Sequence, residues 1–147
     1  MDIKTVIQDY LDDTSIMQLA TVKYDKPWLS ALQFAVDADW NLYWVSSKSR
    51  RHSLEIVDNS AVAVAIVRDP VVKQGLQLEG VASMVADGKI DLVHEIYCKR
   101  YGDKPELLLA VKADNAEGPA YYQVKLTSVK MHDEVNFPSN PQQVYKI

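Results

Sequence analysis

Between Met17 and Val45 three short strand-like segments follow one another, separated by turns of four or five residues. In the first, Met17, Leu19, Thr21 and Lys23 alternate with Gln18, Ala20 and Val22. Tyr24-Asp25-Lys26-Pro27 then supplies turn chemistry before the second segment, Trp28 to Val36. Asp37-Ala38-Asp39-Trp40-Asn41 is another polar turn, and Leu42-Tyr43-Trp44-Val45 is a third strand rich in residues that suit a pleated surface. Connections this short join antiparallel neighbours, because a parallel pair needs a crossover of roughly a dozen residues. The first third of the chain is therefore expected to be a three-strand meander.

Further strands are expected downstream. Ala61 to Val67 is a nearly unbroken run of small and β-branched apolar residues, the pattern of a central strand covered on both faces. Leu76, Leu78, Val81, Ser83 and Val85 mark a long strand, in which Gly75 and Gly80 signal a kink or bulge of the kind that curves a sheet toward a barrel. Ala120 to Met131 is a last clear strand with one irregularity in its alternation. Helical spacing predicts helices over Ile3 to Leu11, over the segment carrying Leu54, Ile56 and Val57, over Ile90 to Arg100 and over Pro105 to Val111. The tail from Pro138 to Ile147 reads as irregular. Six strands with helices between them predict a mainly β fold, a six-stranded antiparallel barrel with helices on its flank, in one domain over residues 1–147.

Composition narrows the function classes. The single cysteine, Cys98, cannot form an intramolecular disulfide, and no cysteine pair stands at metal-ligand spacing. Met1 to Asp13 carries Asp2, Asp9, Asp12 and Asp13 where an export signal needs a basic start and an apolar run, and no apolar run approaches a membrane span. A cytoplasmic protein with no membrane partner is expected. A formal net charge of −4 argues against nucleic acid, which needs clustered Lys and Arg. His52, His94 and His132 form no metal or triad spacing and read as surface or structural residues; no serine stands in a nucleophile-elbow sequence. Cys98 reads as a buried helical thiol, and Trp28 and Trp40 as core or interface aromatics.

One local cluster departs from the acidic average: Lys48, Arg50, Arg51 and His52, in the segment Trp44-Val45-Ser46-Ser47-Lys48-Ser49-Arg50-Arg51-His52-Ser53-Leu54. Hydroxyls and guanidinium groups gather where a strand hands over to a helix. A helix N-terminus offers free N–H groups and partial positive charge, and arginine adds a planar fork for phosphate. These are the parts of a phosphate-monoester site. In an arbitrary sequence the same residues read more often as capping serines and solvated arginines.

The order of motifs resembles the pyridoxamine 5'-phosphate oxidase-like family. Leu19-Ala20-Thr21-Val22, Trp28 to Val36, Leu42-Tyr43-Trp44-Val45, Ser49-Arg50-Arg51, Ala61 to Val67 and Gly75-Leu76-Gln77-Leu78-Glu79-Gly80 follow one another as in that group. The resemblance covers roughly Ile3 to Val85; beyond Lys89 it rests on a helix followed by the final strand. It implies an FMN-binding split barrel that works as a homodimer, with the cofactor at the interface and an oxidoreductase activity on an unassigned small molecule. Carried over, Ser49, Arg50 and Arg51 would hold the FMN phosphate, and Trp44 and Val45 would line the ribityl chain and ring edge. The backbone around Ala31 and Leu32 would face the isoalloxazine, and Gln77 would reach it from the second chain. The fully active oxidase carries basic residues at both ends of the strand that here runs Leu29 to Phe34, and a C-terminal Trp and Arg motif. This sequence shows neither, so synthesis of pyridoxal phosphate is not expected. A deazaflavin-dependent reductase and a flavin- or haem-holding module without turnover, with iron on His94 or His132, are the alternatives.

Overall fold

The computed structural model describes residues 2–147; Met1 lies outside them. Helix α1 (Ile3–Asp13) is capped by Asp2, whose carboxylate accepts from Lys4 N and Thr5 Oγ1. Its buried residues Val6, Ile7, Tyr10 and Leu11 are the ones that helical spacing puts on one face. Strands β1 (Ile16–Lys23) and β2 (Lys26–Gln33) form the expected hairpin, turned by Tyr24 and Asp25, both with positive φ. After Phe34 come β3 (Ala35–Val36), β4 (Leu42–Ser47), helix α2 (Arg51–Asp58), β5 (Ala61–Asp69) and β6 (Gln74–Met84). A 3₁₀ turn at Asp87–Lys89 leads into α3 (Ile90–Tyr101), α4 (Pro105–Ala113), β7 (Pro119–Asp133) and β8 (Gln142–Lys146).

All strand pairs are antiparallel, in the order β2-β1-β5-β6-β7-β4-β3, with β8 on β7. The two ends of that order, β2 and β3, are separated by one residue, Phe34. A single stretch of chain thus supplies both edges of the sheet, which curls into a split barrel. The gap falls between β2 and β4, where no main-chain pairing occurs among the described residues. Flanking helices and the mainly β antiparallel architecture are as the sequence implies, but the strands number eight. The segment Trp28 to Val36 breaks at Phe34, and the tail expected to be irregular pairs with β7, Val129 opposite Tyr145. Buried Asp133 prepares that return, accepting from Val135 N and Asn136 N, while its own N–H bonds to Pro141 O.

The barrel interior holds Met17, Leu19, Phe34, Leu42, Trp44, Val64, Ile66, Leu76, Leu78, Val124 and Met131, closed at one end by α1. A second cluster, Tyr43, Val85, Val93, Tyr97, Val111 and Tyr121, lies under α3 and α4 on the outer face of β4 and β7. The strands covered on both faces are therefore β4 and the first part of β7, not β5. In β5, Val62, Val64 and Ile66 point inward while Ala61, Ala63 and Val67 lie exposed. An apolar run carries no record of which neighbour covers its second face. Gly80 sits at a register shift, Glu79 opposite Ser128 and Gly80 opposite Leu126, which also accounts for the irregularity in β7. Arg100 closes the C-terminus of α1, donating to Leu11 O (2.9 Å) and Asp12 O (2.8 Å).

Candidate functional site

The Ser46–Ser53 segment turns from β4 into α2 at the gap in the barrel. Its serines tie the turn rather than cap the helix. Ser47 Oγ donates to Glu117 O (2.8 Å) and Ser53 Oγ to Ser47 O (2.8 Å), while Ser49 N donates to Ser47 Oγ (3.3 Å). The N-cap residue of α2 is Arg50, whose side chain bonds no helix amide. The first-turn N–H groups are thus left without a side-chain acceptor, at the end of the helix where partial positive charge gathers.

The basic residues of the cluster part company. Lys48 turns toward the loop after α4, pairing with the Asp114 carboxylate and donating to Asn115 O (3.1 Å). Arg50 is exposed and has no ion-pair partner among the described residues. Arg51 donates through Nε to Glu55 Oε1 (3.2 Å) and lies 4.1 Å over the Trp28 ring, an arrangement that leaves its terminal nitrogens free. Glu55 is buried and also accepts from Thr21 Oγ1 (3.2 Å). Ser49 and Arg51 line a hollow of about 340 Å³ with Lys23, Tyr24, Lys26, Leu54 and Glu55. Sequence reasoning missed Lys23 and Lys26. The signal was present, since β2 begins at Lys26, three residues before the Leu29 to Phe34 segment inspected for flanking cations.

His52, the one histidine within the basic cluster, is 6% exposed and lies in the gap. Its Nδ1 is 3.2 Å from Ser30 Oγ on β2, and its Nε2 is 2.9 Å from Ser46 Oγ on β4. Burial and then the Arg50 charge lower its pKa from the ordinary 6.5, against an opposing pull from Glu55.

The remaining residues named from the sequence fall in three places. Ala31 and Leu32 lie on β2, whose outer edge is unpaired; Ala31 is exposed, while Leu32, opposite Met17, packs against the core. Val45 is half-buried on β4. Trp44 is not turned toward the gap: it is fully buried and stacks on Tyr122 (ring centroids 5.6 Å apart), so a ligand outside the barrel meets its main chain and not its indole. A ribityl contact at residue 44 would therefore run through its main chain. In a strand, successive residues face opposite sides, and Trp44 has the parity of core residue Leu42. Gln77 is exposed on β6 opposite Ala65 and lines a different hollow, of about 530 Å³, with Lys130, His132 and Gln142. Gln77 is not among the residues that line the Arg51 hollow.

His94 Nδ1 lies 2.7 Å from Tyr121 Oη, and half-buried Cys98 is 3.3 Å from His94 Nε2. His132 pairs with Glu134 (3.2 Å). No helix is long and apolar enough to cross a membrane among the described residues.

The family model described as pyridoxamine 5'-phosphate oxidase matches residues 3–132. No curated protein sequence matches the chain. Among solved structures, the chain is similar to a putative pyridoxamine 5'-phosphate oxidase from Listeria innocua, with a TM-score of 0.71 and 21% identity over 88% of this chain and 98% of that one. It is similar to general stress protein 26 from Bacillus anthracis, with a TM-score of 0.70 and 17% identity over all of both chains. It also matches HutZ, the haem storage protein from Vibrio cholerae, with a TM-score of 0.68 and 20% identity over 86% of this chain and 91% of that one. At these identities the structures show a shared fold. The family match, taken with the split barrel and the strand-to-helix turn at its gap, shows that the chain belongs to the pyridoxamine 5'-phosphate oxidase family.

Proposed function

We propose that the chain binds FMN in the gap, with its phosphate at the Ser49–Arg51 turn, and serves as a flavin-dependent oxidoreductase in a homodimer. The observation that carries this reading is the hollow itself: Arg51, Ser49, Lys23 and Lys26 line it beside the uncapped start of α2, and Glu55, the carboxylate in its wall, is held by Arg51 and Thr21. A phosphate dianion matches that donor set. The unpaired main-chain edges of β2 at Ala31 and Leu32, and of β4 beyond Tyr43, offer N–H and C=O groups to the polar rim of a flavin ring. Bound FMN supplies the electron-carrying chemistry; the chain's own residues anchor, orient and shield. Purified protein incubated with FMN and desalted is expected to keep flavin absorption bands. A colourless product after that treatment would reject the cofactor assignment.

The exposed outer faces of β1, β5 and β6 support the dimer. Ala61, Ala63, Val67 and Val81 form an uncovered strip, apolar apart from Gln77 and from Glu79 opposite Ala63. A second copy packed there would bury the strip and carry its Gln77 toward the first copy's cofactor. Light scattering is expected to give twice the chain mass, and Ala63→Glu to give a monomer; a monomeric wild type at micromolar concentration would sink the interface model.

Haem is a second reading, favoured by the likeness to the haem storage protein and by His132 in the hollow with Gln77 and Lys130. A Soret band after incubation with haemin, lost in His132→Ala, would favour it over the flavin.

A further inference from the structure

We infer that His52 is the positioning residue of this site: its imidazole latches β2 to β4 across the open side of the barrel and thereby holds the anion hollow together. The latch deepens the FMN reading and rests on it for the identity of the ligand, but it is a property of the chain without ligand.

The geometry is specific. No main-chain pair joins β2 to β4, yet Ser30 Oγ on one and Ser46 Oγ on the other sit within hydrogen-bond distance of the two nitrogens of a single ring. A neutral imidazole has one N–H donor and one acceptor nitrogen, and each serine hydroxyl rotates to complement whichever it meets, so both bonds form in either tautomer. The ring is held by α2, the helix that presents Arg51 and its uncapped amides. The hairpin that brings Lys23, Tyr24 and Lys26 to the hollow is the one that carries Ser30. Fixing His52 against both strands therefore fixes the two halves of the hollow relative to each other.

The charges around the ring make the latch sensitive to acid. The charges that bear on the ring are Arg50 and Glu55, both on α2, while the β1–β2 hairpin packed against that helix carries Lys23 and Lys26. Glu55 is committed to Arg51 and Thr21, Lys23 to Asp58 and Lys48 to Asp114. A proton on His52 adds a buried cation beside Arg50. As pH falls, the unfolded chain takes up that proton before the folded one does. The contribution of neutral His52 is therefore whole above 6.5 and is lost as pH falls through the lower folded value.

The test is hydrogen exchange on the flavin-free protein, corrected for intrinsic rates. In His52→Phe, which keeps the ring volume, amides in Lys26–Gln33 and Ser46–Ser49 are expected to exchange at least tenfold faster, with β5 and β6 unchanged. His52→Gln, with one donor and one acceptor, should recover part of the protection and abolish its loss below pH 6.5. Unaltered protection in His52→Phe, a uniform loss over every strand, or an acid-induced loss that persists in His52→Gln would each overturn the latch. Should His52→Phe fail to fold, the pH profile of His52→Gln decides alone. Failure of wild-type protein to bind FMN would sink the ligand reading and leave this result standing.

Discussion

Arg51→Ala is expected to weaken FMN binding roughly a hundredfold, about 3 kcal/mol, because two effects point the same way. A guanidinium that grips phosphate oxygens through its terminal nitrogens is lost. In addition, Glu55, 4% exposed, keeps only Thr21 as a partner and leaves an uncompensated carboxylate at the wall of an anion site. Arg51→Lys returns the charge without the fork, so it should recover only part of the affinity. Arg50→Ala should cost less alone, since that side chain is solvent-exposed and held by nothing, and the double Arg50→Ala/Arg51→Ala variant should show no measurable binding. Lys48→Ala is the internal control: the lysine is drawn away to Asp114, so flavin affinity should stay within twofold of wild type. Titration of flavin fluorescence, beside melting curves to confirm folding, checks the series. Equal affinity in wild type and the double variant would reject the phosphate assignment.

Gly80→Ala should produce the largest loss of stability of any single methyl added to this chain. A Cβ at residue 80 would stand 2.5 Å from Lys125 O and 2.6 Å from Val124 Cγ1. The first of these is main chain paired into the sheet, which cannot retreat without breaking the β6–β7 ladder. Opposite the register shift, the two backbones approach more closely than any side chain permits. The expected cost is about 4 kcal/mol, or roughly 10 °C in melting temperature for a chain of this size. Gly88→Ala, with nothing within 4 Å of the added atom, should change stability by no more than about 0.5 kcal/mol. Thermal melts of the two variants separate close packing from a general intolerance of alanine; equal melting temperatures would mean that the bulge relaxes freely.

Local chemistry was enough to define the elements themselves. Alternation in Met17 to Lys23, the 3.6-residue spacing of Val6, Ile7, Tyr10 and Leu11, and the glycine at the β6 bulge each depend on neighbours close in sequence and appear where their patterns lie, while the turn after Lys23 is shorter than its pattern, two residues and not four. The handover from β4 to α2 at the serine and arginine cluster was legible for the same reason. Everything that turns this cluster into a site came from residues distant in the chain. Lys23 and Lys26 reach the hollow because hairpin pairing folds β1 and β2 against α2, and Lys48 leaves it because Asp114 and Asn115 arrive after α4. His52 acquires its role when curling of the sheet brings Ser30 and Ser46 to opposite sides of one ring. The inward turn of Trp44, the bare face of β5 and the pairing of the tail with β7 were decided in the same way. A sequence pattern states which residues share a face or a turn. Only tertiary packing states what covers that face, and burial and charge balance follow from the covering.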